Sequence, residues 1–288
     1  MSRTRVMVVG DLVTDVVAVL SATLEAGSDT PAQVRVGPGG QGANTAAWLA
    51  ETDTPVTLVS AVGDDHPGEQ RRTELSGVDL EVRVVSGART GTVVVLSHDG
   101  DRTMVSDRGA AADLRPDDID VALSHFPDTT HLHLSGYVLL DDGSRAAGRH
   151  ALATARARGL STSVDAASAA PLRAVGGEFL DWVAGTDLLL ANADEAQVLG
   201  GDVSAALIAA AHTVVVKHGA AGARWTGADG TSVQVDPVPA IVVDPTGAGD
   251  AFAAGLLSAW LPGGDPASAL SAGARLGARA TGLAGARP

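Results

Sequence analysis

The chain has 288 residues, 45% of them hydrophobic, and a formal net charge of −14. So acidic a composition excludes sequence-independent binding of DNA or RNA, which needs a basic face, and the lack of cysteine excludes disulfides and thiolate metal sites. No apolar run reaches the roughly 18 residues of a membrane span, and the first apolar stretch is too short for a secretory core, so a soluble cytoplasmic protein with no membrane partner is expected.

The pattern opens with an apolar strand over 6–9 that ends at Gly10-Asp11. Alternating Val34-Arg35-Val36 runs into Gly37-Pro38-Gly39-Gly40, and Ala46, Ala47, Leu49 and Ala50 predict a helix over 42–50. A strand over 56–62 follows, then a helix opened by Pro67. Two β-rich runs, 92–97 and 102–106, flank His98-Asp99-Gly100-Asp101, and Asp-Gly at that position predicts a hairpin. With 16–20 and 33–36 these runs make a small separate sheet. After Asp113 strands over 130–134, 160–165, 188–191 and 213–217 alternate with helices over 143–157, 172–183 and 193–199. That rhythm predicts a parallel sheet covered on both faces. A strand over 240–243 and helices over 247–260 and 266–281 close the chain, which shows no internal repeat or linker.

The most informative stretch is Asp244-Pro245-Thr246-Gly247-Ala248-Gly249-Asp250-Ala251-Phe252. Glycines before an apolar helix let a ligand approach the backbone, and free N–H groups with the helix dipole favour an anion such as a transferring phosphoryl group. Asp250, in the first turn, stands beside that target; the dipole favours its ionisation and desolvation opposes it. A carboxylate there can orient a hydroxyl and take its proton late in a loose transition state. Taken alone, Gly-x-Gly-Asp is as well explained by a turn with a favourable first-turn residue.

The wider context decides between these. The stretch resembles the second signature of the ribokinase-like, or PfkB, carbohydrate kinases, and Gly39-Gly40-Gln41-Gly42-Ala43-Asn44-Thr45-Ala46 resembles the first. Asn192-Ala193-Asp194-Glu195 resembles the family's Asn-x-x-Glu motif, Gly10 to Asp15 its N-terminal turn, and Val214 to Gly222 its nucleotide-side strand and turn. The elements keep the family's order over residues 6–288. The resemblance implies one α/β/α domain over 1–288, with a central, mostly parallel sheet and a small β lid from segments near 12–37 and 90–110. It implies transfer of the γ-phosphoryl group of ATP, with Mg2+, to a hydroxyl of a sugar-like substrate, and a homodimer formed through the lid.

The resemblance also assigns roles. Asp250 is the catalytic base, and Gly247, Ala248 and Gly249 form the anion hole. Asp15 accepts hydrogen bonds from substrate hydroxyls; Asp11 either does the same or fixes the turn after the first strand. Gly39, Gly40 and Asn44 line the sugar. Asn192 and Glu195 position Mg2+ through water while also reading as an ordinary helix cap. Lys217, the only lysine, Gly219, Gly222 and Thr246 lie on the nucleotide side. Arg108 reaches the substrate, an anionic group included, or is a surface charge; Arg102 reads as a lid-surface charge. Asp165 ends a strand facing the site. Asp244 and Thr246 match positions near the family's monovalent cation, K+, but the chain ends soon after Arg287, which counts against potassium dependence. Pro245 stands where the family usually has Thr. His131 and His133 share a strand face and read as packing residues, not zinc ligands.

Three other readings compete. Sugar and nucleoside kinases share these motifs, but a base wants a stacking aromatic, and only 3% of residues are aromatic; Tyr137 is the best placed. A non-catalytic sugar or nucleotide sensor on the same fold would bind ATP without turnover. Gly37-Pro38-Gly39-Gly40-Gln41-Gly42 spells Gly-x-Gly-x-x-Gly with Asp64 following, which allows an NAD(P)-dependent oxidoreductase but leaves 244–250 unexplained.

Overall fold

A computed structural model describes residues 4–98, 101–201 and 204–288. The strands are β1 (Arg5–Val9), β2 (Val13–Leu20), β3 (Ala32–Gly39), β4 (Val56–Gly63), β5 (Asp79–Val85), β6 (Thr90–His98) and β7 (Asp101–Gly109), followed by β8 (Thr129–Ser135), β9 (Ser161–Asp165), β10 (Thr186–Asn192), β11 (Ala211–Lys217), β12 (Ala223–Gly227) and β13 (Ser232–Val235). Nine form one sheet, ordered β13-β12-β11-β10-β9-β8-β1-β4-β5. It is parallel except for β12 and β13, which add as antiparallel strands at one edge. Strand alternation splits the core in two: Met7 and Val9 join the cluster on one face, Val6 and Val8 that on the other. The helices Gln41–Ala50, Ala248–Trp260 and Pro266–Thr281 cover the second face. The chain is thus a three-layer α/β protein.

The other four strands form a separate sheet, ordered β3-β2-β6-β7. Its register sorts the side chains. Val36, Val16, Val94 and Val105 are paired across all four strands and so share one face. The opposite face carries Asp15, Arg35, Arg102 and Arg108 toward the larger sheet. The Asp99-Gly100 turn expected between β6 and β7 lies outside the described residues.

Three expectations are corrected. Residues 240–243 are not a strand: Ile241 is 87% exposed, and among the described residues the backbone here is tied by the Val243 N–H, with that of Asp244, to the Thr281 carbonyl. The helix expected over 172–183 is two, Ala169–Val175 and Glu178–Val183, broken where Gly176 takes a φ of 61°. The Gly-rich run at 37–42 ends β3, which pairs only within the small sheet. It therefore does not form the β–turn–α crossing of a dinucleotide fold, and Asp64 is occupied by Ser86 and Gly87 on the surface. Strands β5, β12 and β13 were not anticipated. They lie at the two ends of the sheet, β5 at one and β12 and β13 at the other.

Candidate active site

The carboxyl ends of β1, β9, β10 and β11 converge, as the rule for open α/β sheets requires. They deliver Asp11, Asp165, Asn192 and Lys217 to one cleft, which the start of helix Ala248–Trp260 closes. That helix begins at Gly247 with φ 76°, and a Cβ there would lie 2.4 Å from the Ala286 carbonyl oxygen. Only glycine fits. Among the described residues the Gly249 and Asp250 N–H groups have no acceptor, while Ala248 N–H turns to Pro245 O at 3.3 Å.

Asp250 is the pivot. Its Oδ2 accepts from Asn44 Nδ2 at 2.9 Å, although the two residues are 206 positions apart. Burial pushes its carboxyl up to about 8, helped by Asp165 and Asp11 and opposed by the Asn44 bond and Lys217. Desolvation is the largest of these contributions.

On one side of Asp250 lies a cleft of about 700 Å3 lined by Lys217, Gly219, Gly222, Asn192, Gly249 and Arg102 among others. Lys217 Nζ donates to Asp165 Oδ2 at 2.6 Å and sits 3.4 Å from where a Cβ on Gly249 would be. Burial alone would lower the ammonium's pKa; Asp165, Glu195 and Asp250 outweigh it, and the net shift is upward. Asn192 caps the helix Ala193–Val198, and Glu195 returns both carboxylate oxygens to it, accepting from Asn192 N at 2.8 Å and Nδ2 at 2.7 Å. Burial and then Asp165 lift Glu195 to about 7, against Lys217 and the Asn192 N–H. Arg102, read from sequence as a surface charge, donates from β7 to Thr246 Oγ1 at 2.9 Å.

On the other side stand Asp11, Asp15, Gly39, Gly40, Asn44 and Arg108. Asp11 fixes the turn, its Oδ1 accepting from Gly42 N at 3.3 Å, and its Oδ2 pairs with Arg108 Nη1 at 3.1 Å. Asp15 lies against Gly39, where a Cβ would be 1.9 Å from its Oδ1. Burial and then Asp11 raise its carboxyl to about 7, with Arg287 and Arg71 opposing. Asp244 accepts from Thr246 N at 2.9 Å and Gly285 N at 3.2 Å, fastening the chain end beside the helix start.

Sequence reasoning missed three contributors, Gln41, Arg287 and Arg71, and the extent of the part played by Asp165. Gln41 bridges Ser135 Oγ (2.6 Å) and Asp165 (3.1 Å). Asp165 is a hub for Lys217, Gln41 and Ala167 N. Arg287 donates Nε to Asn44 Oδ1 at 3.0 Å and Nη2 to Gly39 O at 2.8 Å. Arg71 is buried and acts on the charge of both Arg287 and Asp15. Gln41 lies inside a motif and could have been found; two arginines among 19 carried no signal. His131 and His133 are buried and bonded to Ser161 and Ser163, with burial lowering them to about 3 and about 4, so they stay neutral packing residues. The Tyr137 ring is covered by the Arg108 guanidinium 5.2 Å from its centroid, so it is no open stacking platform.

A family model described as pfkB family carbohydrate kinase matches residues 3–288. The chain is 34% identical over 266 residues to the ATP-dependent ribose-1-phosphate kinase of Halopiger xanaduensis, covering 86% of this chain and 82% of that one. It is 33% identical over 247 residues to the 2-dehydro-3-deoxygluconokinase of Thermoproteus tenax, covering 80% and 74%. The crystal structure of adenosine kinase from Sinorhizobium meliloti superposes with a TM-score of 0.88 at 24% identity, over 100% of this chain and 96% of that one.

Proposed function

The chain belongs to the pfkB family of carbohydrate kinases and is an ATP-dependent sugar kinase, and from that premise we propose that Asp250 is the base that takes the proton of the acceptor hydroxyl. The observation that carries this reading is its position between the two halves of the cleft, bonded to Asn44 and next to the free N–H groups of a helix start. The hydroxyl oxygen bonds to the γ-phosphorus as the bond to the bridging oxygen of ADP breaks, and the proton passes to Asp250. The Gly249 and Asp250 N–H groups, with the Lys217 ammonium, face the charge that develops on the transferring group. The Asp15 carboxylate, which has no hydrogen-bond partner among the described residues, offers both oxygens to sugar hydroxyls.

ATP phosphates lie along Lys217 and Arg102, and the adenosine end against Gly219, Gly222 and the apolar 238–240 segment. Among the described residues no three His, Asp or Glu side chains are grouped to hold a metal. Asn192 and Glu195 would hold a magnesium ion through water beside the ATP phosphates. When bound it neutralises phosphate charge. Asp244 is a weaker seat for K+, because both of its oxygens serve backbone N–H groups and Arg35 lies 3.8 Å away.

The small sheet acts as a lid that excludes water from the transfer. Its site-facing side supplies Asp15, Arg102 and Arg108, and its other side exposes Val34 (60%), Val36 (69%) and Val105 (59%), an apolar surface suited to the same face of a second copy. Val36→Glu should convert a dimer to monomer in sedimentation equilibrium; an unchanged mass would sink that part.

The main test is ADP release over a panel of sugars, sugar acids and nucleosides. Asp250→Asn should cost about 10³-fold in kcat with acceptor KM little changed. Full turnover by this variant would remove Asp250 from the chemistry.

A further inference from the structure

One buried and one half-buried arginine flank the acceptor side, and their hydrogen bonding is incomplete. Arg71 is 2% exposed; its Nη2 pairs with Glu74 at 2.8 Å, but Nε and Nη1 are buried and have no partner. Arg287 gives Nε and Nη2 to neutral oxygens of Asn44 and Gly39, while its Nη1 is buried without a partner. Among the described residues Arg287 has no carboxylate within ion-pair distance. The two guanidiniums lie close enough for Arg71 to push down the pKa of Arg287, which burial first of all lowers to about 10, against Asp15, Glu74 and Asp250.

We propose that the sugar phosphorylated here already carries a phosphate monoester, and that Arg71 and Arg287 hold that phosphate. The assignment rests on the sugar-kinase reading of the Asp250 site and narrows its substrate class. A buried N–H without an acceptor is costly, and native proteins keep few of them. Here three unpartnered guanidinium nitrogens, Arg71 Nε and Nη1 and Arg287 Nη1, belong to two cations that repel each other. A neutral hydroxyl would accept one bond and leave the repulsion. A carboxylate offers two oxygens. A phosphate monoester offers three non-bridging oxygens and close to two negative charges, and guanidinium forks match that geometry. The nearby carboxylates do not replace it: Glu74 is matched to Arg71, Asp11 to Arg108, and Asp15 lies against Gly39. Arg108, paired with Asp11 as Arg71 is with Glu74, also keeps Nε and Nη2 unpartnered and lies over the Tyr137 ring. The product is then a sugar bisphosphate, with the new phosphoryl at the hydroxyl nearest Asp250.

The test compares kcat/KM for D-ribose, ribose 1-phosphate, ribose 5-phosphate and 2-dehydro-3-deoxygluconate. One of the two sugar phosphates should exceed ribose by at least about 100-fold. Arg287→Gln, close to the chain end and not the deeply buried Arg71, should shrink that ratio about 10- to 100-fold, and Arg287→Lys should restore part of it. Ribose or the sugar acid matching the phosphates would overturn the proposal while leaving the kinase site standing. A separate measurement needs no turnover. Inorganic phosphate at 10 mM should raise the melting temperature of the wild type, and do so less for Arg287→Gln. No shift in the wild type would overturn the phosphate site, whatever the kinetics. Absence of Asp250-dependent ADP release with every acceptor, alongside a phosphate-induced shift, would instead overturn the catalytic assignment.

Discussion

The two halves of the cleft are built differently. The nucleotide half is built around local pieces: Asn192 and Glu195 cap one another three residues apart, and the helix start at 247–250 is a single turn, with Lys217–Asp165 across 52 positions and Arg102–Thr246 across 144 tying them together. The acceptor half is stitched from remote segments: Arg287 to Asn44 across 243 positions, Arg108 to Asp11 across 97. A phosphate is the same in every ATP, so one backbone geometry serves it. A particular sugar needs particular side chains, and the fold collects them from wherever it can.

If the halves are separable, substitutions should divide by the substrate they affect. Lys217→Met strikes the point where they meet and should have the largest effect, a loss of about 10²- to 10³-fold in kcat/KM for ATP. It also removes the cation that opposes the raised carboxyls of Asp250 and Glu195. The acidic limb of the rate profile should therefore move to higher pH; a limb that stays put would show that Lys217 does not face them. Gly39→Ala drives a methyl into Asp15 and should raise KM for the sugar about 10- to 100-fold, leaving KM for ATP within about threefold. Equal effects on both would erase the division.

Next in size is the pH dependence. Asp250 acts deprotonated and burial holds it near 8, so kcat/KM should climb about tenfold per unit up to about pH 8 and level off above. Asp15 and Glu195, each lifted to about 7, steepen the same limb. The linked stability has the matching sign. A carboxyl whose folded pKa is raised supports the fold fully below its ordinary range, and that support is lost as pH rises through about 8. Asp250→Asn cannot ionise, so it should melt several degrees above wild type at pH 8 and converge with it below about pH 4. Smallest of all, Arg102→Gln should raise KM for ATP about three- to tenfold, an effect that salt reduces because the residue is exposed.

Much of the architecture was legible because it follows from period and punctuation. The apolar runs at 6–9, 188–191 and 213–217 are strands of a parallel sheet because a strand covered on both faces must be apolar throughout. What failed had no local signature. Residues 240–243 are as apolar as any strand, but they join neither sheet and lie exposed. Arg102 looks like a surface charge until the small sheet brings it to Thr246.

The amino-acid order by itself determined the glycine-opened helix with Asp250 in its first turn, the Asn192–Glu195 cap and the alternation that builds the sheets, since each depends on neighbours a few positions away. Only the tertiary structure decided which arginines are buried with unfilled donors, which carboxyls are lifted toward neutrality, and that Asn44 holds Asp250. Those properties come from desolvation and from charges brought together across the chain, and neither exists until the fold has closed.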